Sequence, residues 1–232
     1  MMDWHKFWTD YPATAGETDF LIQTGHTVGG VPYSEAEFGA MLGSIRLGLD
    51  LGASDDLLDL CCGNGVVTHC LVEHCRLAVG VDFSETLFDI ARRHHAHAKI
   101  RYLLGDVRAL CELDLAPPDH FSRILMYAAL QHLDIPDLAP LLDCMQSKAT
   151  RDVVIFIGGI LDARRKTAFL DTPEKRQAYE EYRRTGRDRL GTWWHPQHIA
   201  EAADRAGLRC EIDDQSAGRP GAHYRFDARL TQ

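Results

Sequence analysis

Several things are missing from this 232-residue chain, and each absence narrows the field. No stretch of about 18 apolar residues occurs, so a hydrophobic membrane-spanning helix is not expected. No charged-then-apolar leader opens the chain, which leads to the expectation of a cytoplasmic protein without a membrane partner. Positive charge is in short supply: 25 basic residues face 34 acidic ones, for a formal net charge of −9. Proteins that bind long nucleic acids need a basic surface to meet phosphates, so nucleic acid is not an expected partner either. The seven cysteines (Cys61, Cys62, Cys70, Cys75, Cys111, Cys144 and Cys210) contain no C-x-x-C pair and are odd in number. That spacing favours reduced thiols over a disulfide frame or a zinc site. Internal repeats, low-complexity segments and linker-like composition breaks are also lacking, so one α/β domain of residues 1–232 is expected.

What is present centres on Leu57-Leu58-Asp59-Leu60-Cys61-Cys62-Gly63-Asn64-Gly65-Val66-Val67. An apolar run ends in a loop with two glycines and passes at once into a helical pattern. A strand, tight turn and helix in this order offer backbone N–H groups and the positive end of a helix dipole to a ligand. Two more apolar runs end in acids: Leu77 to Asp82, 23 positions after Asp59, and Ile100 to Val107 with Asp106 near its end. A carboxylate at the end of the second strand can accept both hydrogen bonds of a ribose diol.

Dinucleotide loops carry G-x-G-x-x-G, whereas here Thr68 stands in the third glycine's place. The stretch instead resembles the first motif of class I S-adenosylmethionine (SAM) methyltransferases, acidic-x-G-x-G-x-G, with Asp59, Cys61, Gly63 and Gly65 at its four positions. Cys61 departs from the pattern by replacing the first glycine. The resemblance covers about residues 56 to 230. It implies a Rossmann-like, seven-stranded, mostly parallel sheet with an antiparallel last strand and helices on both faces. It further implies SAM as cofactor and S-adenosylhomocysteine as product. Asp59 and the backbone of Cys62, Gly63, Asn64 and Gly65 would position the methionine part, Asp82 the ribose, and Asp106 with Val107 the adenine, with Cys61 and Phe83 also counted toward the cofactor site. No N/D-P-P-Y/F motif of base N-methyltransferases follows the third strand.

Along the chain, residues 1–55 are expected to form a helical cap or lid, 56–157 the cofactor core, 158–194 a substrate-facing insertion, and 195–232 a helix and hairpin. Trp4, Phe7, Trp8 and Tyr11 lie at helical spacing. They either cover the cofactor or seal a helix against the core, and packing is the usual meaning of such stripes. The glycine-rich stretch Thr24 to Tyr33 has the form of a lid, and Ser34 to Glu37 is a capping box opening a helix through about Leu49. Arg92-Arg93-His94-His95-Ala96-His97 closes a helix, where basic residues are favourable without any metal, so no metal site is expected.

The fourth strand, Phe121 to Met126, leads into Tyr127 and Gln131-His132-Leu133. In an open parallel sheet, ligands sit at these carboxyl ends. Small-molecule methyltransferases have similar residues here. Tyr127, which also counts toward the cofactor site, and His132 are therefore candidates for catalysis, His132 as a general base or as a loop-positioning residue. The insertion holds nine basic residues, among them Arg164, Arg165 and Arg189, which would receive an anionic substrate or simply form a solvated face. Trp193, Trp194 and His195 close it, and His195 is a second candidate base. The expected function is methyl transfer to a small-molecule acceptor, foremost at oxygen, by a monomer or homodimer. The alternatives are N- or C-methylation, a SAM-binding protein that does not methylate, and an NAD-dependent oxidoreductase.

Overall fold

The computed structural model describes residues 2–232. Seven strands form the main sheet: β1 (Asp56–Leu60), β2 (Leu77–Asp82), β3 (Ile100–Leu104), β4 (Phe121–Tyr127), β5 (Ala149–Leu161), β6 (Arg209–Asp214) and β7 (Arg225–Thr231). Their order is β3-β2-β1-β4-β5-β7-β6, parallel throughout except that β7 runs antiparallel to both neighbours. This is the Rossmann-like sheet that the resemblance implied.

Strand alternation divides the core in two. Leu58 and Leu60 of β1 point with Val79, Val81, Ile124 and Ile155 into the larger cluster. Leu57, Ala78, Leu125 and Phe156 point the other way. Helix α2 (Glu35–Leu49) covers that second face through Met41, Ile45 and Leu49. Its start is the capping box of Ser34 and Glu37, and at Gly48 it lies so close to Phe156 that a Cβ would fall 2.3 Å from the ring. The larger face is covered by α5 (Leu138–Ser147) and α7 (Pro196–Arg205).

Helix α1 (Trp4–Asp10) buries no residue in the core. It is fastened from outside: Ser84 Oγ donates to Trp8 O at 2.7 Å and Thr86 Oγ1 to Thr9 O at 3.1 Å. Ser84 also caps α4 (Glu85–His94). Helix α3 (Val66–Leu71) follows the glycine loop, and α6 (Pro173–Arg184) lies within the expected insertion. A small ribbon pairs Thr27–Val28 with Val31–Pro32.

Two expectations are corrected by the fold. Cys111 and Cys144 form a disulfide across 33 positions, so the thiols are not all reduced. An odd count conceals one pair, because pairing depends on which cysteines the fold brings together. The insertion does not open at residue 158 either. Strand β5 continues to Leu161, bent by a register shift between Ile157 and Ile160 at Gly159, whose φ is +71°. Among the described residues, no helix is long and apolar enough to cross a membrane.

Candidate active site

The site lies where the strand order reverses between β1 and β4, the place where open α/β sheets bind ligands. One cleft runs over the carboxyl ends of β1, β2 and β4 and the segment after β3. Asp59, Asp82 and Asp106 all line it. Asp59 is 3% exposed and accepts from Thr68 Oγ1 at 2.5 Å. Burial pushes its carboxyl up to about 7, with the Thr68 hydroxyl opposing and Asp82 reinforcing the shift. Asp82 accepts from Gly63 N at 2.8 Å and Ser84 N at 2.9 Å. Burial still raises it to about 6 against those two amides. Asp106 caps a short helical segment by accepting from Arg108 N, and His5 Nε2 of α1 approaches its Oδ2 at 3.3 Å.

Of the loop residues, Cys61, Cys62 and Gly63 line the cleft. Cys61 and Gly63 both have φ of +59°, a region that costs a side chain energy, so the missing first glycine is accommodated with local strain. Phe83, Val107 and Tyr127 line it as expected. Asn64 and Gly65 do not. The fully buried Asn64 side chain donates to Phe20 O and Gln23 Oε1, each at 2.9 Å, and so ties the N-terminal segment to the loop. Gly65 packs on Tyr102, whose hydroxyl would lie 2.4 Å from an added Cβ. The loop's N–H groups are also largely engaged within the protein: Cys62 N with Val81 O, Gly63 N with Asp82, and Gly65 N with Cys62 O. Of the Cys62 to Gly65 stretch, Cys62 and Gly63 border the cleft, Gly63 by its backbone alone, beside the carboxylates.

The aromatic stripe proves to be a roof. Trp4 and Trp8 line the cleft, and the His132 ring lies 4.2 Å from Trp4 and 5.4 Å from Trp8, between centroids. His132 Nδ1 is buried with no hydrogen-bond partner in the protein. Burial, with Arg225 and Arg108 adding to it, lowers its pKa to about 3. A ring of that basicity accepts hydrogen bonds but scarcely takes up protons at neutral pH. His26, from the glycine-rich stretch, is 7% exposed, lines the same cleft, and is lowered to about 4 by burial and Arg225.

His195 is corrected outright. It is exposed, precedes α7 as its N-cap, and lines neither this cleft nor the pocket beside it. Trp194 is buried in the core, where its indole N–H donates to Leu130 O at 3.2 Å, and Trp193 packs against Phe169 and Tyr224. Burial in the sheet, which sequence alone does not show, explains both. Of the basic insertion residues, Arg164 and Arg165 pair with Asp162, whereas Arg189 reaches the pocket beside the cleft. His95 is held by Asn64 O at 2.7 Å, and His94 and His97 face Glu17 and Glu73.

Three residues at the site, Arg219, Arg225 and His26, are not marked out by the sequence. Arg219, with a side chain only 3% exposed, pairs with Asp227 at 2.7 Å and donates to Tyr127 Oη and Ser44 Oγ, locking the Tyr127 ring in place. Arg225 opens β7 beside the cleft, and nothing in its strand pattern marks it out. The glycine and histidine content of Thr24 to Tyr33 was the available signal for His26.

The strand order and the antiparallel β7 are those of the Rossmann-like methyltransferase fold. The family described as a methyltransferase domain matches residues 57–151 of this chain. Over 82 residues, 35% of the chain, it is 37% identical to the uncharacterized methyltransferase C70.08c of Schizosaccharomyces pombe, covering 30% of that protein. Over 34% of the chain it is 30% identical to a ubiquinone biosynthesis O-methyltransferase of Coxiella burnetii, covering 33% of it. The chain thus matches about a third of the length of these curated relatives. Among solved structures, the DhpI-SAM-HEP complex superposes with a TM-score of 0.63 at 18% identity, over 99% of this chain and 94% of that one.

Proposed function

We propose that this protein methylates a small-molecule acceptor, at oxygen, using SAM. The observation that carries the reading is the roofed cleft itself, lined by Asp59, Asp82 and Asp106 together with Tyr127 and His132. The donor set fits the cofactor. Asp59 faces a cationic α-amino group, the outer lone pairs of Asp82 accept a ribose diol, and Asp106 beside Val107 accepts from an adenine amino group. When bound, the cofactor supplies a methyl group already activated on a sulfonium.

The protein's part is then alignment, which can supply roughly 7–11 kcal/mol of a barrier. Tyr127 is fixed by Arg219 and borders both the cleft and the adjoining pocket. His132 and His26, both neutral, offer acceptor nitrogens that orient a hydroxyl toward the methyl-bearing end. The roof supports a small acceptor, because a polymer would have to displace α1. The similarity to an O-methyltransferase agrees with oxygen as the nucleophile.

Calorimetric titration with S-adenosylhomocysteine beside NAD tests the reading, followed by a labelled-methyl screen of hydroxylated acceptors. Micromolar binding of the first ligand alone supports it. Binding of NAD alone would return the chain to the oxidoreductases, and cofactor binding without methyl transfer to any acceptor would leave a SAM-binding module.

A further inference from the structure

Across Tyr127 from the cofactor cleft lies a second pocket, sharing Trp8, Thr24, His26, Tyr127, Ala128 and His132 with the first. Its charge is one-sided. Arg189 and Arg225 border it, and none of its lining residues is Asp or Glu. Tyr33 and Tyr127 are held protonated by burial, and His26 and His132 are held neutral. The two cations come from separate elements. Arg189 belongs to the segment after α6 and lies over the Phe7 and Tyr11 rings at 5.4 and 5.9 Å. Arg225 begins β7, stacks on Tyr224 and donates one N–H to Gly159 O. Neither is paired with a carboxylate among the described residues. In a chain of net charge −9, a pocket bordered by two guanidinium groups and by no acid is locally cationic. The two most buried arginines, by contrast, are paired, Arg219 with Asp227 and Arg123 with Asp55.

We infer that this pocket takes an acceptor bearing an oxyanion, received between Arg189 and Arg225, with a flat unsaturated body packed on the aromatic walls. The inference deepens the methyltransferase reading and rests on it. Guanidinium groups match the geometry of carboxylate and phosphate oxygens, and their charge-assisted hydrogen bonds are roughly twice as strong as neutral ones. Aromatic walls favour a ring, which stacks on them. An acceptor anchored at its anionic end presents its other end toward Tyr127 and His132, where a hydroxyl would meet the methyl group. The hydroxyl oxygen forms the new bond to the methyl carbon, the carbon–sulfur bond breaks with its electrons left on sulfur, and the hydroxyl proton goes to solvent.

The test uses the full chain saturated with S-adenosylhomocysteine, so that cofactor binding is read first. Failure of that step overturns the methyltransferase reading and this inference together. The loaded protein is then titrated with 4-hydroxybenzoate against 4-hydroxybenzamide, and with phenyl phosphate against phenol and inorganic phosphate, following tryptophan fluorescence and heat. At least one aryl anion should bind about tenfold or more tightly than its neutral counterpart. Arg189→Gln and Arg225→Gln should each reduce that preference several-fold, with partial rescue by Lys. Arg189 is exposed, so its variant keeps the test valid should Arg225→Gln fail to fold. Equal binding of anion and neutral partner, or no aryl anion binding to the loaded protein, overturns the inference while leaving the cofactor site standing. So does an unchanged preference in the Arg189 variant. Inorganic phosphate binding as tightly as phenyl phosphate would refute the flat body.

Discussion

Lowering the pH from 8 to 6 is expected to weaken S-adenosylhomocysteine binding by about tenfold. Burial holds the Asp59 carboxyl up at about 7, so the free protein carries it roughly half protonated at neutral pH. A cationic α-amino group requires the ionised form, and binding therefore expels the proton. Affinity is fully present above the raised pKa and is lost as the pH falls through it. If only the carboxylate binds, the apparent dissociation constant rises by a factor of about 1.1 at pH 8, about 2 at pH 7 and about 11 at pH 6. Asp82, raised to about 6, adds up to about another factor of two at the acid end. Calorimetry at the three pH values, repeated in two buffers of different ionisation enthalpy, measures both the affinity and the protons released, about half a proton from Asp59 at pH 7. Asp59→Asn removes the titrating group, keeps an acceptor for Thr68 and should flatten the profile. A wild-type affinity constant between pH 8 and 6 would refute the placement of Asp59 beside the amino group.

Further outcomes follow from other contacts. Asp82→Ala should weaken S-adenosylhomocysteine by about 1–3 kcal/mol, and unchanged affinity in titration would remove Asp82 from the ribose site. Arg219→Met leaves Asp227 buried without its cation, and chemical denaturation should show a loss of about 3–5 kcal/mol. Gly48→Ala drives a methyl group into the Phe156 ring and should cost about 1–3 kcal/mol in the same assay. Thiol titration of the unfolded, unreduced chain should find the five free cysteines, rising to seven after reduction; seven before reduction would exclude the Cys111–Cys144 bond.

How far the sequence could be read depended on the range of the interactions. Strand β2 falls on its expected limits and α2 starts at its expected capping box, because apolar runs and caps are local signals. The three acids were legible for the same reason, each lying at or just beyond the carboxyl end of an apolar run. Cys111 and Cys144, or Tyr127 and Arg219, meet only after the chain has folded, and neither spacing nor residue type reveals such a meeting. His195 shows the converse error: an ionisable residue beside two tryptophans resembled a site, yet burial of Trp194 turned the histidine outward. Asn64 and Gly65 carry the loop motif but serve its architecture, holding the N-terminal segment and Tyr102.

Ser84 joins two tasks within a span of three residues. Its backbone N–H steadies the Asp82 carboxylate, and its hydroxyl fastens the roof helix at Trp8. Both ties run through one residue, so loosening Ser84 acts on the carboxylate and on the roof helix together. The inferred acceptor pocket shares Trp8 with the proposed cofactor cleft, so the same helix completes both. Steady-state kinetics should accordingly be ordered, with the cofactor entering first and S-adenosylhomocysteine departing last, and product inhibition by S-adenosylhomocysteine should be competitive against SAM alone.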